Sequence, residues 1–232
     1  MIQVRVLKVF VGPDGRGGNP LGVVLEGGRV AAERRQAVAA ELGYSETVFV
    51  DDVATGAIRI FTPSAELPFA GHPTVGTGWL LRSLGHDGAT LRVPAGEVPA
   101  WQDGELSWVR ARPSWIHAIK PAQLDLAAAV DELTGPPPGE GSYYAWAWID
   151  EAAGSIRARY FVSDYGIGED EATGAAAVMM GGMLGRPLEI HQGVGSVLQV
   201  RMGPEPDSVE VGGRVEAVGV REIADPADGA PA

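Results

Sequence analysis

Residues 69–84 have the sequence FAGHPTVGTGWLLRSL, and this stretch decides the fold of the chain. We predict a helix from Pro73 to Leu84, with proline in its first turn and Gly85 after its last. Its apolar residues lie on several faces, and a helix of this kind is buried on all sides. It is too short to span a bilayer, so we expect other parts of the protein to surround it.

A second stretch repeats this pattern later in the chain. The strand-like residues 156–162 lead through a turn into an apolar helix predicted from Thr173 to Leu184, just as residues 58–61 lead towards the first helix. Aligning Gly76 with Gly174 places His72 opposite Asp170. The repeat predicts an α+β protein of two pseudo-symmetric halves, each a curved mixed sheet or barrel around a central apolar helix. An ordinary core helix in a mixed sheet remains an alternative.

The predicted halves divide the chain near residue 112. The first half covers residues 1–112, and a return strand near 217–223 can join it; the second covers 113–216. A polar tail at 224–232 is expected to be disordered. Other elements are predicted as strands at 2–10, 21–25, 47–50, 197–200 and 209–220, a helix at 31–42 and a loop at 134–142.

Composition excludes several classes of function. The formal net charge of −12 disfavours binding to nucleic acid, which requires a basic surface. The absence of cysteine excludes thiolate catalysis, cysteine-based zinc sites and iron–sulfur clusters. We find no signal peptide and no apolar stretch long enough to span a membrane, so a cytoplasmic location without a membrane partner is the default expectation.

No metal or nucleotide site is predicted. His86, His117 and His191 lack metal-ligand spacing with His72 or with one another. Gly166-Ile167-Gly168 follows a strand and precedes a helix, as in a dinucleotide-binding turn. However, the acidic residues 169–171 come next and would repel a pyrophosphate.

The starts of the two apolar helices are candidates for an anion site. Unpaired N–H groups and the helix dipole favour a negative charge there, and small residues would let a ligand approach the backbone. If the halves pack face to face, both helix starts point into one cleft, and a carboxylate is the natural ligand. The alternative is that Asp170 is an ordinary N-cap and that Gly71 and Gly76 are turn glycines.

Glu46 and His72 are candidates for proton transfer. Alternation places Glu46 on the same face of a strand as Val48 and Val50, where desolvation would raise its pKa towards the range useful for acid–base catalysis. A lone glutamate at a strand edge is, however, usually a solvated surface group. Backbone N–H groups at the helix start would keep His72 neutral, although a structural histidine fits equally well.

Several segments, in order, resemble the phenazine-biosynthesis (PhzF-like) family from about residue 5 to 222. They are Gly18-Asn19-Pro20, Ser45-Glu46-Thr47, Phe61-Thr62-Pro63, the run from Glu66 to Thr74, Glu169-Asp170, Ala172-Thr173-Gly174 and Gln192-Gly193. The resemblance implies a diaminopimelate-epimerase-like fold with the active site between the halves. It also implies a cofactor-free isomerase acting on a small carboxylate, and a homodimer.

The resemblance further assigns roles to individual residues. Glu46 corresponds to the catalytic glutamate of the family, His72 to its histidine and Asp170 to its aspartate. The expected substrate-binding residues are Asn19, Gly71, Pro73, Thr74, Thr173, Gly174 and Ala175. An epimerase or racemase of a small amino-acid-like substrate, or a catalytically silent binding module on the same fold, are the alternatives.

This chain departs from the family pattern at three places. Glu171 stands where proline is usual, Ala175 stands where serine is frequent, and the region between 112 and 156 is short. Glu171 adds a negative charge at the helix start that should receive an anion. Loss of the serine hydroxyl removes a donor for a substrate carboxylate.

Overall fold

The computed structural model describes residues 1–86, 90–116, 119–162 and 167–224. Its helices are α1 (Ala32–Leu42), α2 (Gly71–Ser83), α3 (Ala127–Asp131) and α4 (Gly174–Leu184). The strands of the first half are β1 (Ile2–Val11), β2 (Gly17–Val24), β3 (Glu46–Asp52), β4 (Ala57–Phe61), β5 (Glu66–Leu67), β6 (Thr90–Val93), β7 (Gly96–Asp103) and β8 (Leu106–Ala111). The later strands are β9 (Pro121–Gln123), β10 (Ser142–Asp150), β11 (Ser155–Val162), β12 (Ile167–Asp170), β13 (Leu188–Gln192), β14 (Ser196–Met202) and β15 (Val209–Ile223).

The first half is a closed ring of strands around α2. The ring runs in the order β1-β2-β3-β4-β6-β7-β8-β15, and β15 closes it by pairing with β1. Helix α2 packs against β1, β2, β3, β7, β8 and β15, and residues 71–78 are all buried. This arrangement confirms the predicted central helix, and its apolar faces are explained by strands on several sides.

The second half continues the same sheet in the order β15-β14-β13-β11-β10-β9, with β12 paired to β11. Helix α4 packs against β14, β15 and α2. Its Gly181 lies so close to Val200 and Val209 that a Cβ atom there would come within 2.7 Å of either side chain. The second apolar helix is therefore also central over its first two turns, as the repeat predicts, whereas Met183 in its last turn is exposed.

Strand β15 connects the two halves. Its residues 209–213 pair with β8, while residues 209–212 also pair with β14. Residues 214–223 then pair antiparallel with β1, which places a return strand of the C-terminal part on the first ring. This strand includes the predicted 217–223 and begins earlier.

Some element bounds differ from the prediction for identifiable reasons. Helix α2 begins at Gly71, two residues before the predicted start at Pro73. Proline is tolerated there because N–H groups in the first turn of a helix have no partner within the helix. Strand β2 begins at Gly17, inside the predicted turn, because Gly17 and Gly18 adopt φ values of 67° and 85° that let the chain pair with β1 at once. Strands β5 to β10, β12 and β13 and the short helix α3 were not predicted.

Three sequence predictions fall wholly or partly on residues that the structure does not describe. They concern His117, Gly166 and the tail from residue 225 onwards. In the described part of the chain, none of the helices combines the length and the apolar character that a membrane span requires.

Candidate active site

The first turns of α2 and α4 lie directly against each other where the two halves meet. A Cβ atom on Gly71 would come within 2.4 Å of the Gly174 carbonyl carbon, and one on Gly174 within 2.7 Å of the Gly71 Cα atom. Neither position accepts a larger side chain unless a backbone moves. The two helix starts can therefore meet because both residues are glycine.

Neither of these helix starts is capped by a side chain. The Thr173 N–H donates to Gln192 Oε1 at 3.2 Å. Helix geometry leaves the following N–H groups, on Gly174 and Ala175, without a partner inside the helix. The dipoles of both helices add partial positive charge at this point, which favours a bound anion.

A cavity of about 300 Å³ lies beside the helix starts. Its acidic lining residues, among those the structure describes, are Glu46 and Asp170. Much of the remaining lining is apolar and includes Phe69 and Trp115, whose ring centroids are 5.4 Å apart. The cavity therefore places two carboxyl groups and an aromatic wall around one small volume.

Asp170 is buried at the end of β12, just before the start of α4. Thr173 Oγ1 donates to Asp170 Oδ2 at 2.5 Å, and Asn19 Nδ2 donates to Oδ1 at 2.6 Å. Burial raises the pKa of Asp170 to about 6; these two hydrogen bonds oppose the rise, and the negative charges of Glu171 and Glu169 add to it.

Asn19 connects the halves through its side-chain amide. Besides Asp170, its Nδ2 donates to the Ala172 carbonyl at 2.9 Å and lies 3.4 Å from His72 Nδ1. Its Oδ1 accepts a hydrogen bond from Ser45 Oγ at 2.9 Å. Both polar atoms of the amide thus contact protein groups, so Asn19 holds the site together from β2.

Glu46 is the first residue of β3, and its side chain is only 13% exposed. Its Oε2 lies 3.4 Å from His72 Nε2. Burial, and then the negative charge of Asp170, raise the pKa of Glu46 to about 8, while the Ser45 side chain opposes the rise. Glu46 is therefore not the solvated surface group that the sequence left open as an alternative.

His72 is buried within the first turn of α2, with 3% of its side chain exposed. Burial lowers the pKa of His72 to about 3, although a hydrogen bond to the Pro20 backbone acts in the opposite direction. The imidazole is therefore neutral at pH 7. The main cause is burial rather than the helix-start N–H groups from which neutrality was predicted.

These pKa values define the charge of the site near neutral pH. The pKa values of Glu46 and Asp170 are both raised, that of Glu46 further, so the carboxyl pair retains a proton that Glu46 holds more tightly, and His72 is neutral. The site holds one proton on a carboxyl beside one negative charge. A proton poised on a buried carboxyl is what an acid–base catalyst requires.

The predicted site residues lie close together, but only some of them line the cavity. Glu46, Asp170, Thr173 and Ala175 line the cavity. The other predicted residues contribute differently: Gly71 and Gly174 form the helix contact, and Asn19 supports Asp170. Pro73 and Thr74 are buried in α2, where the Thr74 hydroxyl donates towards the Gly71 and Ala70 carbonyls.

Sequence reasoning missed several residues of the site. Phe69 belongs to a segment that was quoted, but nothing in its pattern indicated that it would line a cavity. Trp115 lies in a short 3₁₀ turn, Pro113–Trp115, and reaches the cavity through tertiary packing alone. Gln192 also belongs to a quoted segment, but no role was predicted for it. From the last position of β13, its Nε2 donates to the Asp170 carbonyl at 2.9 Å and to the Thr173 hydroxyl at 2.8 Å.

The negative charge of Glu171 is directed to the 193–196 turn. Its carboxylate accepts hydrogen bonds from Val194 N–H and Ser196 Oγ.

The described residues contain no group of three or more histidine or acidic side chains that could hold a metal ion.

The raised pKa of Glu46 makes stability depend on pH. The folded protein holds this proton up to about pH 8, whereas the unfolded chain releases it near 4.5. The stabilising contribution is therefore complete below about pH 4.5 and is lost as the pH rises through 8. We expect the unfolding free energy of Glu46→Gln, which cannot ionise, to fall less steeply between pH 5 and pH 8.5 than that of the wild-type protein. Urea titration measures both. Parallel declines in both proteins would contradict the burial of this carboxyl.

Comparison with known proteins identifies the family. The family model described as phenazine biosynthesis-like protein matches residues 9–114. The trans-2,3-dihydro-3-hydroxyanthranilate isomerase of Pseudomonas aeruginosa is 31% identical over 213 residues, which cover 75% of this chain and 74% of that protein. This chain belongs to the phenazine biosynthesis-like family. An uncharacterized isomerase of Pasteurella multocida is 26% identical over 89% of both chains.

Solved structures support the same fold for this family member. A PhzF-family protein of Bacillus anthracis superposes with a TM-score of 0.77 at 21% identity, covering 96% of this chain and 99% of that one. A hydroxyproline epimerase of Agrobacterium vitis, crystallised with trans-4-hydroxy-L-proline, gives a TM-score of 0.59 at 12% identity, covering 96% and 90%. The α+β architecture predicted from the repeat, and the epimerase-like fold implied by the family resemblance, are confirmed, and the curated relatives identify this family member as an isomerase.

Proposed function

We propose that this protein is a cofactor-independent isomerase that relocates a proton on a small carboxylate-bearing substrate, with Glu46 as the acid–base group. The observation that carries the proposal is the position of Glu46, beside His72 and Asp170, in a cavity bordered by two uncapped helix starts. These groups come from both halves of the chain.

The substrate carboxylate would lie at the starts of α2 and α4. Backbone N–H groups and helix dipoles there stabilise a negative charge, including the extra charge that develops on the carboxylate when a neighbouring C–H bond is broken. Ala175 has no hydroxyl to offer, so this binding relies on backbone donors. The Glu171 carboxylate does not occupy this position because it binds the 193–196 turn, although its negative charge still acts on Asp170.

Glu46 would carry the proton. In its ionised form it takes a proton from a carbon next to the carboxylate or its conjugated system, so that a C–H bond breaks and an O–H bond forms. It then returns the proton to another carbon on the same face, so that no electron acceptor is needed. Since the pKa of Glu46 is about 8, the ionised form becomes more abundant as the pH rises towards that value.

His72 and Asp170 support this proton transfer in different ways. Neutral His72, 3.4 Å from Glu46 Oε2, orients the carboxyl. The charge of Asp170 raises the pKa of Glu46 and so favours the return of the proton to carbon. Phe69 and Trp115 offer an apolar wall that suits a flat carbon skeleton.

An epimerase is the second candidate because Asp170, with its raised pKa, also lines the cavity. It could serve as the second acid–base group that inversion at one carbon requires. A catalytically silent binding module is the third reading, and it predicts binding without exchange.

A substrate panel in heavy water tests these readings. The panel contains trans-2,3-dihydro-3-hydroxyanthranilate, anthranilate, benzoate, L-proline and trans-4-hydroxy-L-proline, ranked first by thermal shift. We expect one ring carboxylate to stabilise the protein and to take up deuterium at carbon, with a shifted double bond in the product. Uptake with inversion at one carbon would support the epimerase, and binding without uptake would contradict both enzyme readings.

A further inference from the structure

Glu171 makes a set of contacts that extends beyond its own half of the protein. Its Oε1 and Oε2 both lie 3.0 Å from the Val194 backbone nitrogen, and Ser196 Oγ donates to Oε1 at 2.8 Å. Ser196 is buried, and its Oγ accepts a hydrogen bond from the Gly18 N–H at 2.8 Å. A chain of hydrogen bonds therefore runs from Gly18 in β2, through Ser196, to the Glu171 carboxylate.

The two turns joined by this chain are packed too closely for side chains. A Cβ atom on Gly17 would lie 2.4 Å from the Ser196 nitrogen, and one on Gly12 would lie 2.3 Å from the Gly195 carbonyl oxygen. A Cβ atom on Gly193 would lie 2.1 Å from Glu171 Oε2, and its φ of 59° already favours glycine. The Glu171 carboxylate therefore packs against the backbone of the 193–196 turn as well as against the Ser196 hydroxyl.

This chain of hydrogen bonds ends at Gly18, beside the residues that form the proposed site. Asn19 follows Gly18 and binds both the Asp170 carboxylate and the Ala172 carbonyl, on either side of Glu171. Further along β2, Leu21 is paired with Glu46 of β3. The start of β2 thus connects the strand of Glu46 to the segment that carries Asp170.

We propose that Glu171 is a positioning residue whose carboxylate, acting through Ser196, fixes the start of β2 and hence Glu46 relative to Asp170. The inference rests on the proposed function, because it assigns Glu46 and Asp170 to one site. Helix α4 itself does not depend on this link, since Gln192 holds Thr173 and Gly71 packs on Gly174. Loss of Glu171 should therefore disturb the proton-transfer geometry more than substrate binding.

The test compares Glu171→Ala, Glu171→Gln, Ser196→Ala and the double variant Glu171→Ala/Ser196→Ala. Glu189→Ala is the matched control, because Glu189 is also hydrogen-bonded in the second half, to Gln199 and His191, and does not line the cavity. We expect Glu171→Ala to lower kcat by up to about 10²-fold, the cost of roughly 1 Å of misplacement, with KM little changed. Glu171→Gln, which keeps an acceptor oxygen for Ser196, should recover part of the loss.

The double variant should be no slower than the slower single variant, because both substitutions break one chain of hydrogen bonds. Amide hydrogen exchange of the free protein gives a readout that needs no substrate. Exchange at Gly18, in the other half, should accelerate about tenfold in Glu171→Ala and remain unchanged in Glu189→Ala.

Unchanged exchange at Gly18 would overturn the proposal, whether or not any substrate is turned over. Additive losses of kcat in the double variant would also overturn it. If exchange at Gly18 accelerates but no member of the substrate panel reacts, the connection between the halves stands and the proposed function fails.

Discussion

Glu46→Gln is expected to lower kcat by about 10²–10⁴-fold, the usual contribution of a positioned proton-transfer group. The amide keeps the shape of the side chain and can still face His72, so the fold should persist. Binding of the substrate carboxylate should change little, since the proposed anion site consists of helix-start N–H groups that Glu46 does not contribute. Steady-state kinetics and calorimetric Kd values for the same ligand measure the two effects separately.

His72→Asn is the comparison for this prediction. If His72 only orients the Glu46 carboxyl, its loss should reduce kcat by less than the loss of Glu46. A Glu46→Gln protein with wild-type kcat would contradict the mechanism. Equal losses in both variants would instead indicate that His72 itself transfers a proton.

Gly174→Ala is expected to damage both stability and activity. The added methyl group would lie 2.7 Å from the Gly71 Cα atom, so the two helix starts must separate. Overpacking of this kind costs about 1–3 kcal/mol of unfolding free energy. Since the N–H groups that receive the substrate would also shift, kcat/KM should fall by up to about 10²-fold. Urea titration and initial-rate kinetics measure the two losses.

Gly219→Ala is the matched control, because a Cβ atom at this position would have nothing within 4 Å. Alanine in place of an unstrained glycine normally stabilises a protein by about 0.4–1 kcal/mol. A Gly174→Ala protein that behaves like this control would mean that the helix starts are not held in contact.

The sequence was most informative where a pattern is local. The apolar residues of 73–84 and 173–184 predicted two buried helices, and alternation placed Glu46 on the same face of β3 as Val48 and Val50. Both faces of β3 are buried from Thr47 to Val50, so alternation alone left the burial of Glu46 open. Both features depend on neighbours along the chain, which is why a single sequence reveals them. The repeat also placed His72 and Asp170 at equivalent positions of the two halves.

The rest of the site depends on contacts between distant segments. The hydrogen bond from Asn19 to Asp170 joins residues that are 151 positions apart, and that from Gly18 to Ser196 spans 178. Closure of the first ring by β15 is equally remote in sequence, although a return strand near 217–223 was predicted. Neither composition nor periodicity encodes such pairs, so the link from Glu171 to Gly18 could be found only in three dimensions. The division at residue 112 stays a prediction.

Transfer of an isotope label within the substrate tests the central claim, a single carboxyl that moves one proton, most directly. The substrate is prepared with deuterium at the carbon that loses its proton, and the reaction is run in ordinary water at pH 8. We predict that part of the deuterium appears at the accepting carbon of the product, on the same face, because Glu46 carries it while shielded from solvent. Delivery of a solvent proton to the opposite face, with no label retained, would contradict the account.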